Sequence, residues 1–364
     1  MPSAIENVPL STRAAVTREL GIRPEFTSEY PLKRPSDLAP GECIVKVEYT
    51  GVCHSDLHLM AGERDIKPGL PSVGGHEGVG RVLAIGMYTP NSAIKVGDRV
   101  GVKYAINTCM QCDLCLRGYE QHCISRTISG YDVDGTFTEH MVAFIQHLIP
   151  IPDTLSSAAA APILCAGVTV YNALQQLSIP PGSWLVIPGA GGGLGHLGIQ
   201  YALCKSLRVI AIDSGDKRDF CLSLGAEKFI DFVESKDVVA DVREICDGLG
   251  AHAALIVADS NMAYVQAAWY LRPQGTALCI GVTETVTLPM AHIVDMVRSG
   301  PELNKRTSLT GLHIGHKISV IEALALAARG KVRCHYVERP IEEISSVLED
   351  MSKGKLIGRA VLKF

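Results

Sequence analysis

The sequence predicts an α/β protein in two modules: a β-rich module first, then a doubly wound parallel sheet. Three observations carry this reading. Up to about residue 155 the chain shows short strand-like runs separated by Gly and Pro turns, with little helix signal. Beyond it, strand-like and helix-like runs alternate six times. At the first such strand-to-helix junction lies a glycine-rich turn, Gly189-Ala190-Gly191-Gly192-Gly193-Leu194-Gly195. At ~150 residues per domain, the 364 residues suggest roughly two domains. With 47% hydrophobic and 20% charged residues the chain belongs with globular rather than disordered proteins.

In the first module the strand candidates are 42–50 (ECIVKVEYT), 79–86 (VGRVLAIG) and 97–102 (GDRVGV). Cys43 alternates with Val45 and Val47, which places the three on one strand face. In the second module WLVIPG is followed by a helix over 193–206, RVIAID by 216–224, KFIDF by 237–247, AALIVA by 262–271, TALCIG by 290–299, and TSLTGL closes the series. Residues 317–330 read as a helix leaving the sheet, and GRAVLKF as a strand returning to the first module. These assignments divide the chain into 1–165, completed by 328–364, and an inserted 166–327. The most apolar stretch, Ala158 to Leu174, is broken by Pro162 and Gly167 and reads as core or site rather than a membrane span.

The formal charge of −4 provides no electrostatic reason to expect nucleic acid or a membrane surface as partner. The N-terminus, MPSAIENVPLSTRAAV, has no basic stretch leading into an apolar one, so a cytoplasmic protein is expected. Its twelve cysteines are then reduced: core residues, metal ligands or nucleophiles rather than disulfides.

Their spacing divides them. Cys109, Cys112, Cys115 and Cys123 are separated by two, two and seven residues. Four thiolates on one loop can enclose a tetrahedral Zn²⁺ with no open position, which is a structural site. Iron–sulfur runs are spaced differently and usually carry a following Pro, absent here. A dispersed set comprises Cys53 in Cys53-His54-Ser55-Asp56-Leu57-His58, His76 in Gly75-His76-Glu77-Gly78, and Cys165. Two thiolates and an imidazole would leave a fourth zinc position open, as catalysis requires. Spacing alone cannot join residues so far apart, and a single Cys or His is more often ordinary core. Cys43, Cys204, Cys221, Cys246, Cys279 and Cys334 occur singly and read as packing residues.

The glycine turn follows a strand and opens a helix whose Leu194, Leu197, Tyr201 and Ala202 share a face. Glycines allow close approach of a pyrophosphate, and the helix N-terminus offers free N–H groups. The strict G-x-G-x-x-G spelling fits Gly193, Gly195 and Gly198, too far into the helix; Ala190, Gly192 and Gly195 form the better-placed register. The next strand ends at Asp213, a carboxylate suited to ribose hydroxyls and hostile to a 2′-phosphate, which favours NAD over NADP. A helix-capping role competes for any isolated Asp. Lys217 and Arg218 follow, and they could accept a phosphate or simply be solvated.

TGVCHSDLH, LPSVGGHEGVGRV, KVGDRVGVK, the four-cysteine loop, PILCAGVTVYNAL, and GAGGGLGHLGIQYA with AID occur in this order. Together they make the chain resemble the zinc-dependent medium-chain alcohol dehydrogenases, within them the microbial NAD-linked type. The resemblance runs from about residue 42 to GKLIGRAVL. It implies a GroES-like β-rich catalytic domain and a Rossmann doubly wound sheet. It also implies two Zn²⁺ per chain, one structural and one catalytic, with Cys53, His76 and Cys165 holding the catalytic ion and Glu77 beside it as an alternative ligand. Asp56 would orient His76, Ser55 would hold the alcohol proton and His58 would pass it to solvent. His54 and Arg359 match positions that contact cofactor phosphate, and Thr169 one that packs near the nicotinamide. With the glycine loop (Gly189, Gly191, Gly192, Gly193, Leu194, Gly195), Asp213 and Lys217 they complete the expected cofactor set. The implied reaction moves a hydride between a primary or secondary alcohol and NAD, or in reverse reduces an aldehyde or ketone. The family suggests a homodimer or homotetramer.

Two departures bear on substrate. Where the small-alcohol enzymes have bulky pocket tryptophans, this chain has Arg64 and Tyr104, and the segment 283–316 matches poorly. A wider or more polar pocket is expected, suited to an aromatic or functionalised alcohol. Two other functions compete: an NADPH-dependent zinc aldehyde or polyol reductase, distinguished by cofactor preference, and a non-catalytic nucleotide-binding protein. The latter would be expected to carry a damaged zinc triad, whereas Cys53, His76 and Cys165 are all present.

Overall fold

The computed structural model describes residues 8–63, 68–89, 92–283, 285–290, 293 and 307–364; Arg64 and most of the predicted helix 290–299 lie outside them. The chain forms two compact units, one of residues 1–168, 315–330 and 334–364, the other of 169–314 and 331–333.

The first unit is built on β-sheets. β1 (Ser11–Thr17), β2 (Glu25–Pro31) and β4 (Ser72–Val73) form a three-stranded sheet in the order β2-β1-β4. A larger sheet runs β10-β6-β5-β3-β18-β17, from β3 (Glu42–Val52), β5 (Gly78–Ile85), β6 (Arg99–Val102), β10 (Ile149–Pro150), β17 (Tyr336–Pro340) and β18 (Arg359–Lys363). β3 is its spine. One edge pairs with β5; the other pairs first with β9 (His140–Phe144) and then with β18, so the chain's last strand completes a sheet begun by its third. Cys43, Val45 and Val47 point into one core while Ile44 points into another, as the period of two requires. The tight seam between β3 and β5 requires Gly80, where a Cβ would lie 1.9 Å from the Lys46 carbonyl oxygen. β7 (Ala105–Asn107) pairs with β8 (Thr127–Ile128) at the root of the four-cysteine loop.

Two expectations for this unit are corrected. Helices do occur before residue 155, at His54–Ala61 and Asp113–Leu116. The first is polar and short and shows no clear apolar stripe; its signals are a capping box at Cys53 and Asp56 and a left-handed Gly62 (φ 72°) that stops it. The chain also rejoins this unit at Gly315 rather than at 328. Helix Lys317–Ala328 belongs here because Glu120 accepts the Lys317 backbone N–H at 2.5 Å and the Gln146 carbonyl accepts its ammonium at 2.7 Å.

The second unit is a parallel sheet ordered β13-β12-β11-β14-β15-β16, in which β11 (Trp184–Pro188), β12 (Arg208–Asp213), β13 (Lys228–Asp231), β14 (Ala251–Ile256), β15 (Leu271–Cys279) and β16 (Ser308–Gly311) match the six predicted strands. Renumbered from β11, the order is 3-2-1-4-5-6, the doubly wound nucleotide-binding arrangement. Its central strands read as unbroken apolar runs because both faces are covered; Leu185, Val186 and Ile187 are fully buried, at about 1.5–3 kcal/mol each. Helix Gly195–Cys204 departs from its predicted single apolar face. Residues 195–202 are buried all round and Leu194 only partly, while Cys204, expected in the core, is exposed at its end. Cys279 is half-buried. The other predicted packing cysteines are buried. No single helix among the described residues is long and apolar enough to cross a membrane.

Candidate active site and metal centres

Cys53 leads out of β3 as the N-cap of helix His54–Ala61. Asp56, fully buried in the first turn, accepts the Cys53 backbone N–H at 2.9 Å with Oδ2, while its Oδ1 lies 3.0 Å from His76 Nδ1. His76 and Glu77 precede β5, and Cys165 follows the one-turn helix Ala161–Leu164. The fold brings Cys53, His76, Glu77 and Cys165 together with their ligand atoms within 4.8 Å of one another, all buried.

The donor set suits a metal ion. His76 directs Nδ1 to Asp56, and its Nε2, although buried, has no hydrogen-bond partner among the described residues. Glu77 Oε2 is likewise buried and unsatisfied, while Oε1 is engaged by the Arg359 guanidinium. Leaving two such atoms dry and unpaired is costly unless a cation takes them. The hydrogen bond from the Cys165 thiol holds Cys53 well below the usual thiol range against burial, and Cys165 is pushed up in turn. Burial raises the Glu77 carboxyl to about 7, with Arg359 opposing. Burial would lower His76, but Asp56 and Cys53 together outweigh it and the imidazole is held well above its usual range.

Arg359 is buried on β18 with Nη2 on Glu77, while its Nε, also buried, has no hydrogen-bond partner among the described residues. Ser55 and His58 share the first turns of helix His54–Ala61; His58 is half-buried with Nδ1 2.6 Å from Glu63 Oε2, and His54 is exposed. Tyr104 packs edge-on against His76, with ring centroids 5.4 Å apart. It meets Tyr131 at 5.6 Å, and the Tyr131 hydroxyl donates to the Ser55 carbonyl at 3.0 Å. Glu63 and Tyr131 went unseen in the sequence. Glu63 had a local signal, directly after the Gly62 cap. Tyr131 lies 76 residues from Ser55 and had none.

The second cluster gathers Cys109, Cys112, Cys115 and Cys123. Their sulfurs stand 3.5 Å (109–123), 3.9 Å (112–123) and 4.0 Å (109–115) apart. Four sulfurs about 2.3 Å from one Zn²⁺ sit about 3.8 Å from each other, so the loop is already the size of a closed zinc shell. The backbone N–H groups of Gln111 and Cys112 hold the Cys109 thiol down at about 6.

In the second unit the glycine turn follows β11. Gly189 takes φ +82°, and a Cβ on Gly195 would lie 2.1 Å from the Gly189 carbonyl, so this turn closes only around glycine. Asp213 Oδ2 accepts the Gly191 N–H at 2.8 Å, and Oδ1 lies 3.0 Å from Lys217 Nζ. Lys217 thus covers the carboxylate instead of standing apart as a solvated residue. Gly192, Gly193 and Leu194 line the rest of the turn, partly exposed, and Thr169 is buried in helix Ala166–Gln175.

A β-rich unit holding both a Cys₂His–carboxylate cluster and a four-cysteine loop, together with a 3-2-1-4-5-6 parallel sheet, defines a zinc-binding dehydrogenase. Residues 39–153 match the alcohol dehydrogenase GroES-like domain family and 193–329 the zinc-binding dehydrogenase family. Alcohol dehydrogenase 1 of Emericella nidulans is 38% identical over 98% of this chain and 99% of its own. The alcohol dehydrogenase of the hyperthermophilic archaeon Aeropyrum pernix superposes with a TM-score of 0.86 at 28% identity, covering 97% of this chain and 100% of that one. A cinnamyl alcohol dehydrogenase of Sorghum bicolor does so at 0.83 and 25% identity, covering 97% of each. The chain belongs to the zinc-dependent medium-chain alcohol dehydrogenase family and is an enzyme that interconverts alcohols with aldehydes or ketones.

Proposed function

We propose that this enzyme oxidises aromatic or functionalised alcohols with NAD, using one catalytic and one structural Zn²⁺ per chain. The buried cluster of Cys53, His76, Glu77 and Cys165 carries the reading. When bound, the zinc supplies Lewis acidity to the alcohol oxygen and the nicotinamide accepts the hydride. The residues do the rest. Asp56 fixes the His76 tautomer so that Nε2 faces the metal position. Ser55 takes the alcohol proton, and His58, held by Glu63, hands it to water. Glu77 and Arg359 form a buried pair that keeps a carboxylate beside the thiolates without a net added charge.

The substrate class rests on Tyr104. It stands against His76 where the small-alcohol enzymes carry tryptophan, which removes ring bulk and adds a hydroxyl. The sorghum neighbour is named for cinnamyl alcohol, itself an aromatic alcohol. NAD rests on Asp213, whose carboxylate would repel a 2′-phosphate. A homodimer or homotetramer in the cytoplasm completes the proposal.

Metal analysis with a steady-state substrate panel tests it. Two zinc ions per chain are expected, with benzylic alcohols preferred to ethanol. Cys53→Ser should lose turnover and keep one zinc in a folded protein; Cys112→Ser should mainly cost stability. A strong preference for ethanol refutes the substrate class, and full activity in Cys53→Ser refutes the catalytic site.

A further inference from the structure

Helix His54–Ala61 carries a metal ligand at its cap and the proton-handling Ser55 in its first turn, so the angle of that turn decides where the Ser55 hydroxyl points. A long-range contact reaches the Ser55 backbone itself. The Tyr131 hydroxyl donates to the Ser55 carbonyl at 3.0 Å. Tyr131 is buried, and its ring meets Tyr104 edge-on at 5.6 Å and 69°. Tyr104 in turn meets His76 at 5.4 Å and 87°.

The loop that presents Tyr131 is stapled to the backbone just before His76. Ser129 Oγ donates to the Gly75 carbonyl at 2.9 Å, Gly135 N–H to Val73 at 2.7 Å, and Thr136 N–H to Gly75 at 3.1 Å. The contact leaves no room to slide: a Cβ on Gly135 would lie 2.1 Å from the Gly75 carbonyl, and one on Gly130 would lie 2.8 Å from the Gly75 N–H. Tyr131 is therefore fixed in the same frame as His76. Through one hydrogen bond it refers the Ser55 turn to the metal ligand.

We propose that Tyr131 is a positioning residue that sets the Ser55 hydroxyl relative to His76 during proton removal from the alcohol. This rests on Ser55 handling that proton, as proposed above. A buried tyrosine whose hydroxyl merely needed an acceptor would affect stability alone. A positioning tyrosine affects proton transfer, because small misplacements of a reacting group lower rates steeply.

The experiment is a double-mutant cycle on the zinc- and cofactor-loaded enzyme, with Tyr131→Phe, Ser55→Ala and the pair. kcat/KM, its pH profile, the solvent isotope effect and Tm are measured for each. Tyr131→Phe should lower kcat/KM roughly tenfold, chiefly in kcat, raise the solvent isotope effect and distort the pH profile, with Tm nearly unchanged. When Tyr131→Phe is added to Ser55→Ala it should cost almost nothing more, since the hydroxyl that the tyrosine positions is gone. Additive losses, or a Tyr131→Phe enzyme with unchanged pH profile and isotope effect, overturn the proposal. Full activity in Ser55→Ala overturns the reading of Ser55 beneath it, an outcome the cycle reports separately.

Discussion

Asp56 holds two members of the buried Cys53–His76–Glu77–Cys165 cluster with one carboxylate: Oδ1 lies 3.0 Å from His76 Nδ1 and Oδ2 accepts the Cys53 N–H at 2.9 Å. Both it and His76 are wholly buried, so neither contact has water as a substitute. Asp56→Asn keeps the shape but weakens the bond that fixes the imidazole. The expected result is roughly 10–100-fold weaker zinc affinity or activity. Competition with a chelator should show one zinc per chain lost earlier than in the wild type while the four-cysteine zinc stays. Unchanged retention of both ions would remove Asp56 from its orienting role.

Asp213 provides the cofactor prediction. Its carboxylate receives Gly191 N–H and faces Lys217, so removing it takes away the repulsion toward a 2′-phosphate and leaves the Lys217 ammonium without its anion. Asp213→Ala should raise the ratio of kcat/KM for NADP to that for NAD at least tenfold, with most of the change in KM. Both cofactors falling in parallel would show that Asp213 only braces the glycine turn.

The glycine turn separates two superficially similar positions. A Cβ on Gly195 would lie 2.1 Å from the Gly189 carbonyl and 2.6 Å from Ala190 Cα, both backbone atoms that cannot step aside. At Gly192 the nearest atom is the Gly189 carbonyl oxygen at 3.3 Å. Gly195→Ala should therefore lower the thermal midpoint of the second unit by several degrees and abolish tight NADH binding, while Gly192→Ala keeps its thermal midpoint close to the wild type and loses only NADH affinity, its methyl standing where the pyrophosphate approaches. Fluorescence titration of NADH, alongside calorimetry, checks both. Equal tolerance at the two positions would contradict the turn as described.

What was legible in the sequence was what is local. The four-cysteine loop spans 15 residues, and its ligand spacing alone predicts a shell that the sulfur distances match. The parallel strands show as apolar runs because they are buried on both faces. The Cys53–His76–Cys165 cluster was visible only through family words, since β3, β5 and the turn before Cys165 must fold before those residues meet. The Arg359–Glu77 pair, 282 residues apart, carried no signal of its own. Helix His54–Ala61 escaped because it is short and polar and shows no apolar stripe.

A buried lysine beside the four-cysteine loop makes stability depend on pH. Lys103 is 3% exposed; its Nζ has no hydrogen-bond partner among the described residues and lies 3.8 Å from Glu120 Oε1. That carboxylate also takes the Lys317 backbone N–H. Burial lowers the Lys103 ammonium to about 8, with Glu120 opposing the shift. In the unfolded chain a lysine titrates near ~10.4. Between about pH 8 and pH 10 the unfolded chain therefore binds more protons than the folded one. Stability contributed at this site must rise with pH across that window. A depression of this size corresponds to about 3 kcal/mol as an upper bound, at ~1.4 kcal/mol per unit. Lys103→Met removes the titrating group while filling its space. The stability of the wild type relative to Lys103→Met should improve by about 1–3 kcal/mol from pH 8 to pH 10. Denaturant midpoints of the two proteins, taken in parallel at each pH, measure that difference. A difference that stays flat or falls over this window would mean that Lys103 is not held depressed in the folded protein.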